Sequence, residues 1–376
     1  MRNLLFSLLS SSDFDPSAFG SMSESDWQAL YSLSCDQGVA AMVWDKLGRA
    51  IGEGTLHADR QPSRALKIKW ALTAESVEAK YARQKSVIGK LAGFFAEHGI
   101  GMMVIKGYGL SLDYPFPCHR PCSDIDIWLF EERRTPSGDT VRVSAQQRGD
   151  ALLREHMHID IDEDKHHHTV FCVDGVPVEN HYDFMNVHAH RSNRAVEARL
   201  AELVQRKMYE TEVDGAVVYL PPSDFHALFL LRHSASHFAA ERIVLRHLLD
   251  WCYFVSKYGD DVDWQGLTEF AEKMNMHRFL HGMNSICIDC LGMPSDRIVL
   301  PESDGGYAGR MLDEILRPEF SETKPVGAGY LKSWSYMFRR WWANRWKHGI
   351  VYRESLAETF FVQIYSHLLK PKSLKL

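Results

Sequence analysis

The chain has little of what marks several protein classes. It carries only 7 cysteines in 376 residues, an odd number spread over Cys35, Cys118, Cys122, Cys172, Cys252, Cys287 and Cys290. A large chain so composed is not built on a disulfide framework, and a reducing, cytoplasmic setting is expected. Cys287 and Cys290 form one Cys-x-x-Cys pattern with no second pair, so buried free thiols are favoured over a metal knuckle. No run of eighteen apolar residues occurs, so no membrane-spanning helix is expected. The apolar start up to Leu9 is too short for a secretion signal and reads as a first helix. Basic charge is not in excess. The net charge of −6 argues against wholesale nucleic-acid binding, which calls for a basic face. Internal repeats and low-complexity segments are also missing.

What the chain does have is apolar content, 45% of residues, enough for a sizeable core. Its length suggests two or three structural units. The expected architecture is α+β: a helical region over 1–98, a small mixed-sheet core over 99–220, and a helical region over 221–376. Residues 24–51 read as helix with a break at Gln37-Gly38, capped by Ser23 with Asp26 three positions on, or alternatively by Ser25. Leu66 to His98 reads as one long helix or two, with Val87, Ile88, Leu91, Phe94 and Phe95 at helical spacing. Thr135 to Asp139 is a polar loop, and Val141 to Met157 reads as mainly helical.

Between the helical regions lies the most informative stretch, Met102 to Phe130. Met102 to Ile105 reads as a short buried strand ended by Lys106 and Gly107. Tyr108 to Tyr114 fits about two helical turns before Pro115 and Pro117 stop them. A loop with Arg120, Pro121, Cys122 and Ser123 follows, and then a strand that opens Asp124-Ile125-Asp126-Ile127. Strand side chains alternate between faces, so Asp124 and Asp126 share one and Ile125 and Ile127 the other. Two carboxylates held side by side require a neutralising cation. Hard divalent ions such as magnesium favour oxygen ligands of this kind.

A third carboxylate comes from a predicted hairpin. Asp174-Gly175 lies between two β-prone runs, His168 to Val173 and Val176 to Tyr182, a strong turn signal. On the second run Val176 and Val178 point one way, and Glu179 and His181 the other. Glu179 thus faces the aspartate pair from a neighbouring strand. Asp174 is a competitor, although the turn accounts for it. Asp183 is another, on the Glu179 face if the strand continues past Tyr182, but about 13 Å further along.

Gly107-Tyr108, the spaced Asp124-Ile125-Asp126 and the later Glu179 resemble the polymerase-β-type nucleotidyltransferase superfamily. More narrowly, Lys106-Gly107, Tyr114-Pro115, Arg120-Pro121, Asp124-Ile125-Asp126 and Glu179-Asn180-His181-Tyr182 are similar to a bacterial group of largely uncharacterised nucleotidyltransferases. The resemblance is firm over Gly99–Asn186 and looser over the helical flanks. Where the superfamily usually has Gly-Ser or Gly-Gly, this chain has Gly107-Tyr108. The resemblance implies transfer of a nucleoside monophosphate from a nucleoside triphosphate to a hydroxyl or phosphate acceptor, with release of pyrophosphate. It implies a two-metal mechanism, with two magnesium, or manganese, ions on Asp124 and Asp126, one of them shared with Glu179. Gly107 would let the backbone approach phosphate. Lys106, Tyr108, Arg120 and Ser123 complete the expected nucleotide-binding set. For Lys106 the plainer reading is a solvated strand end, and for Arg120 an ion pair with Asp113 or Asp124. The acceptor stays open: a small molecule such as an antibiotic, a sugar phosphate, a protein side chain or RNA. Rival readings are a non-catalytic nucleotide-binding scaffold and a zinc-dependent hydrolase built on the histidines.

Those histidines form a patch, His156, His158, His166, His167 and His168, with Asp160, Asp162 and Asp164 between. Imidazoles and carboxylates bind zinc. No spacing here fixes a tetrahedral set, so a solvated loop and strand edge is favoured. Phe225 to Phe238 is a strong helix with His226, His233 and His237 on one face. Arg246 and Asp250 sit four apart on the next helix, Arg242 to Ser256, and can pair. Trp264 to Gly292 adds helix. Gly327 to Gly349 interleaves Trp334, Tyr336, Phe338, Trp341, Trp342 and Trp346 with Arg339, Arg340, Arg345 and Lys347. Packing of the aromatics with the basic residues reaching outward is favoured there, over a membrane-surface or nucleic-acid-binding helix.

Overall fold

The computed structural model describes residues 1–10, 16–240, 242–296, 298, 306–323 and 330–361. Four helices lead into the sheet: α1 (Arg2–Leu9), α2 (Glu24–Asp36), α3 (Ala40–Gly52) and α4 (Arg64–Glu97). Ser23 and Asp26 form the expected reciprocal cap on α2. Strand β1 (Gly101–Val104) is followed by the single turn α5 (Tyr108–Ser111), shorter than the two turns expected. Then come β2 (Ile125–Arg134), β3 (Thr140–Ser144), α6 (Gln146–Met157), β4 (His168–Val173), β5 (Val176–His181), α7 (Asn193–Leu203), β6 (Tyr209–Val213) and β7 (Ala216–Leu220). The C-terminal helices are α8 (Ser223–Ala240), α9 (Leu245–Tyr258), α10 (Trp264–Lys273), α11 (His277–Leu291), α12 (Tyr307–Leu316), α13 (Tyr330–Ala343) and α14 (Arg345–Val351). Among the described residues no helix is long and apolar enough to cross a membrane.

The strands form one mixed sheet of seven in the order β4-β5-β2-β1-β7-β6, with β3 paired to the far end of β2. β2 runs parallel to β5, and β1 parallel to β7; the other neighbours are antiparallel. The expected hairpin forms, with Asp174 and Gly175 both at positive φ (51° and 76°), the geometry that an Asp-Gly pair permits most readily. A second hairpin uses the same device at Asp214 and Gly215. Lys90 and Lys85 of α4 reach these two turns, pairing with Asp174 at 3.2 Å and Asp214 at 3.0 Å. One expectation gives way in part. Residues 140–144 are strand rather than helix, because Val141 and Val143 alternate against the end of β2 before the helical pattern starts. Trp264 to Gly292 is helical as expected, in two helices parted where Asn275 takes φ 60°.

Each face of the sheet supports a separate core. One face presents Met102, Val104, Ile125, Ile127, Leu129, Phe171, Val173, Val176 and Val178 to the later half of α4 and to α6. The opposite face presents Met103, Ile105, Trp128 and Phe130 to a larger core that joins the N-terminal helices to α8, α9, α11 and α12. Asp126 lies on this second face, because it alternates with Trp128 and Phe130 along β2. The strand row thus begins in a carboxylate and continues in aromatics.

The C-terminal aromatic segment is partly inside. Its start, residues 327–329, lies outside the described residues. Tyr336 is buried, and Trp346 packs against Phe238 with Arg310 over its ring at 3.9 Å. Phe338 and Trp342 instead remain about half exposed. Lys347, expected to reach outward, is buried and bonded to Glu314 at 2.5 Å, since an α12 carboxylate waits for it inside.

Candidate active site

The parallel pairing of β2 and β5 sets Ile125 beside Val178 and Asp126 beside Glu179. A slip of one residue would have sent Glu179 to the opposite core. The buried valines Val176 and Val178 hold the register. β5 ends at His181, so Asp183 lies beyond the strand. Asp174 is at the hairpin tip, paired with Lys90. Neither joins the cluster. Asp124 sits one residue before β2, half-buried, and accepts a hydrogen bond from the exposed Ser123 hydroxyl at 2.8 Å.

Basic groups surround these carboxylates. Lys106, just past β1, places Nζ 2.9 Å from Asp126 Oδ2, an ion pair outside hydrogen-bond alignment. Lys106 is therefore no solvated strand end: its side chain is 19% exposed. Burial alone would lower its pKa, but the charges of Asp126, Asp124 and Glu179 hold it above the usual lysine value. His181 Nε2 lies 3.2 Å from Asp126 Oδ1 and 3.7 Å from Glu179 Oε2. Its other ring nitrogen meets the Asp183 carbonyl at 3.3 Å. With oxygen acceptors at both nitrogens the ring is an imidazolium. Burial works against that charge, yet the bonds to Asp126 and Glu179 raise its pKa to about 9. Asp126 is fully buried, and burial would raise its pKa; Lys106 and His181 instead hold it well below the usual range. His168, opposite His181 on β4, brings Nε2 to 3.6 Å from Glu179 Oε1. Burial lowers the pKa of His233 on α8 well below the usual imidazole value, and the charge of Lys106 adds to this.

Gly107 turns the chain beside this group. Its φ of 64° suits glycine, and a Cβ there would stand 3.5 Å from the Asp124 carbonyl oxygen. The turn and the first aspartate are thus backbone neighbours.

Two expected nucleotide-binding side chains lie elsewhere. Tyr108 is buried in the α4-side core, stacked on Tyr81 at 5.2 Å between ring centroids. Arg120 is 5% exposed and donates from Nε and an Nη to the two oxygens of Asp250, both at 2.7 Å. Its partner is neither Asp113 nor Asp124; Asp113 pairs with Lys257 at 2.8 Å. The expected Arg246–Asp250 hydrogen bond is also replaced, because Asp250 accepts from Arg120 and from the Tyr114 hydroxyl at 2.6 Å. Arg246 donates to the Pro121 carbonyl at 2.8 Å. The Pro121 loop is therefore clamped to α9, and this clamp aims the chain into β2.

The sequence reading assigned no role in this cluster to His168 or His181. Alternation with Glu179 was the available signal for His181, and the hairpin register brings in His168. The structure assembles Asp126, Glu179 and His181 closely enough to hold a metal ion, with their ligand atoms within 4.8 Å of one another. The carboxylates of Asp126 and Glu179 fit a hard divalent cation, and Asp126 Oδ2 is a buried oxygen without an aligned donor.

An antigenic nucleotidyltransferase-like protein from Paracoccidioides brasiliensis, of known structure, is similar over 46% of this chain and 74% of its own. The identity is 14% and the TM-score 0.31. The comparison with curated proteins gave no match. A family model described as uncharacterised nucleotidyltransferase matches residues 23–292 of the 376, and the chain belongs to that family.

Proposed function

We propose that this protein transfers a nucleoside monophosphate from a nucleoside triphosphate to a hydroxyl or phosphate acceptor. The observation that carries the reading is the β2–β5 register, which sets Asp126 against Glu179 with Asp124 two positions before it. Asp124, Asp126 and Glu179 would hold magnesium or manganese, which supplies charge neutralisation at the phosphates and the attacking oxygen. The remaining work falls to the chain. Gly107 lets the backbone come close to a phosphate. Lys106 places a cation at the same carboxylates and can move to a phosphate oxygen when triphosphate enters. Glu179, at the more open edge of the cluster, is placed to accept the acceptor's proton. Catalysis of this sort rests on positioning and on preorganised charge.

The test is incubation of the protein with α-labelled nucleoside triphosphates, magnesium or manganese, and cell extract. Label should move to an acceptor with pyrophosphate release, and Asp126→Asn should abolish both while circular dichroism stays unchanged. Near-normal turnover in Asp126→Asn would overturn the assignment. The scaffold reading would gain from nucleotide binding without turnover across all four nucleotides.

A further inference from the structure

The histidine-rich segment gains a meaning that its spacing did not show. His167 and His168, from that segment, meet His181, from the partner strand of the hairpin. Ring nitrogens of the three lie within 4.8 Å of one another. The ring centroids are 4.3 Å apart for His167 and His168, 5.0 Å for His168 and His181, and 5.4 Å for His167 and His181. Buried polar atoms normally find partners. Among the described residues the Nδ1 atoms of His167 and His168 have none, although His168 is only 7% exposed. Packing alone gives no reason to collect three imidazoles around unpartnered nitrogens.

We infer that His167, His168 and His181 form a nitrogen-rich site for a divalent transition metal such as zinc or cobalt. Three further features agree. The Asp183 carbonyl sits at the Nδ1 of His181, the outer contact that commonly orients a metal-ligating histidine and frees Nε2 to bind. Glu179 lies 3.6 Å from His168 Nε2 and 3.7 Å from His181 Nε2, so it supplies a fourth, oxygen ligand. Zinc–nitrogen bonds of about 2.0–2.1 Å put tetrahedral ligands roughly 3.4 Å apart, so the three nitrogens need close only modestly. Imidazole ligands favour these metals over magnesium, which takes oxygen donors. Binding releases the Nε2 proton of His181 to solvent. The inference shares Glu179 with the proposed reaction but does not rest on it.

The purified, metal-stripped protein is titrated with cobalt(II) and followed by visible absorption. One equivalent should give the intense bands of a four-coordinate ion, and zinc should displace it. His167→Ala, chosen because this residue is less buried than His168, should weaken binding by about tenfold or more, and His168→Ala likewise. Circular dichroism checks both variants. Cys118→Ser guards against the separate Glu78, Cys118 and His119 cluster and should leave the bands unchanged. Absent bands, bands indifferent to both histidine variants, or bands lost in Cys118→Ser overturn the inference. Magnesium-dependent transfer persisting without cobalt binding would sink the site alone. Intact cobalt binding with no transfer would sink the proposed reaction and leave the site standing.

Discussion

Arg120 can be asked directly whether it holds a nucleotide or holds the protein. Its guanidinium is buried and forked onto both oxygens of Asp250, and the Tyr114 hydroxyl also donates to that carboxylate. Asp250 is held below the usual carboxylate range: burial opposes its charge, and Arg120 more than offsets this. Arg120→Ala would strand a buried carboxylate, and breaking such a pair from one side costs about 3–5 kcal/mol. Domains have only about 5–15 kcal/mol of stability, so the loss is a large fraction. Arg120→Lys should recover only part, because an ammonium cannot satisfy both carboxylate oxygens in the fork geometry. Replacing the pair together, as Arg120→Met with Asp250→Leu, should be milder than Arg120→Ala, since no charge is left unpaired. Urea unfolding followed by circular dichroism measures all three, and calorimetric titration with nucleoside triphosphates follows on the folded variants. If Arg120→Ala changes stability by less than about 0.5 kcal/mol, the ordinary range for surface substitutions, while triphosphate affinity collapses, the clamp is wrong and Arg120 is a ligand-binding residue after all.

Glu179→Gln should cut turnover strongly and weaken binding of the catalytic cation, whereas Asp174→Asn and Asp183→Asn should do far less; inactivation by Asp183→Asn alone would contradict the hairpin register. Gly107→Ala forces a side chain into φ 64° at a cost of about 1–3 kcal/mol and should also weaken triphosphate binding. Unchanged affinity in titration calorimetry would move the phosphate away from that turn. Acid should destabilise the fold early. Burial pushes His190 down to about 2, and His226 and His247 down to about 3. In the unfolded chain each titrates near 6.5, so below that pH the unfolded state binds the extra protons. Each residue should then remove up to about 1.4 kcal/mol per pH unit as pH falls from about 6 to 4. Unfolding free energies from denaturant melts at several pH values would show this, and His226→Gln should flatten the slope by about one residue's share.

Where the sequence was legible, local geometry explains why. Asp174-Gly175 admits two successive positive φ angles, and Val176 and Val178 leave Glu179 one side of the strand. The Asp-x-Asp alternation needed nothing beyond the pleat. The same Asp-Gly signal marks the β6–β7 hairpin, and Tyr209 to Val213 alternates as a strand should, so this hairpin too was legible although it was not drawn from the sequence. β3 has five residues and merges by pattern into the helix after it. Arg120's partner lies 130 positions away, so nearby Asp113 and Asp124 were the natural choices and both were wrong. Tyr108 went astray for a related reason. One helical turn gives too little periodicity to tell which way its ring points.

The shared core of the larger sheet face bears on how the protein is made. α1 contributes Leu5, Leu8 and Leu9 to the same core as Met311, Leu312 and Ile315 of α12, and Arg2 pairs with Asp313 at 3.3 Å. α1 therefore shares its core with a helix that is synthesised much later. At about 5–20 residues per second, roughly 15 to 60 s of synthesis separate the two. Over that interval α1 has α3 against it but not yet α11 or the α12 end of the core, so a chain arrested before those helices keeps Leu5, Leu8 and Leu9 under a partial cover.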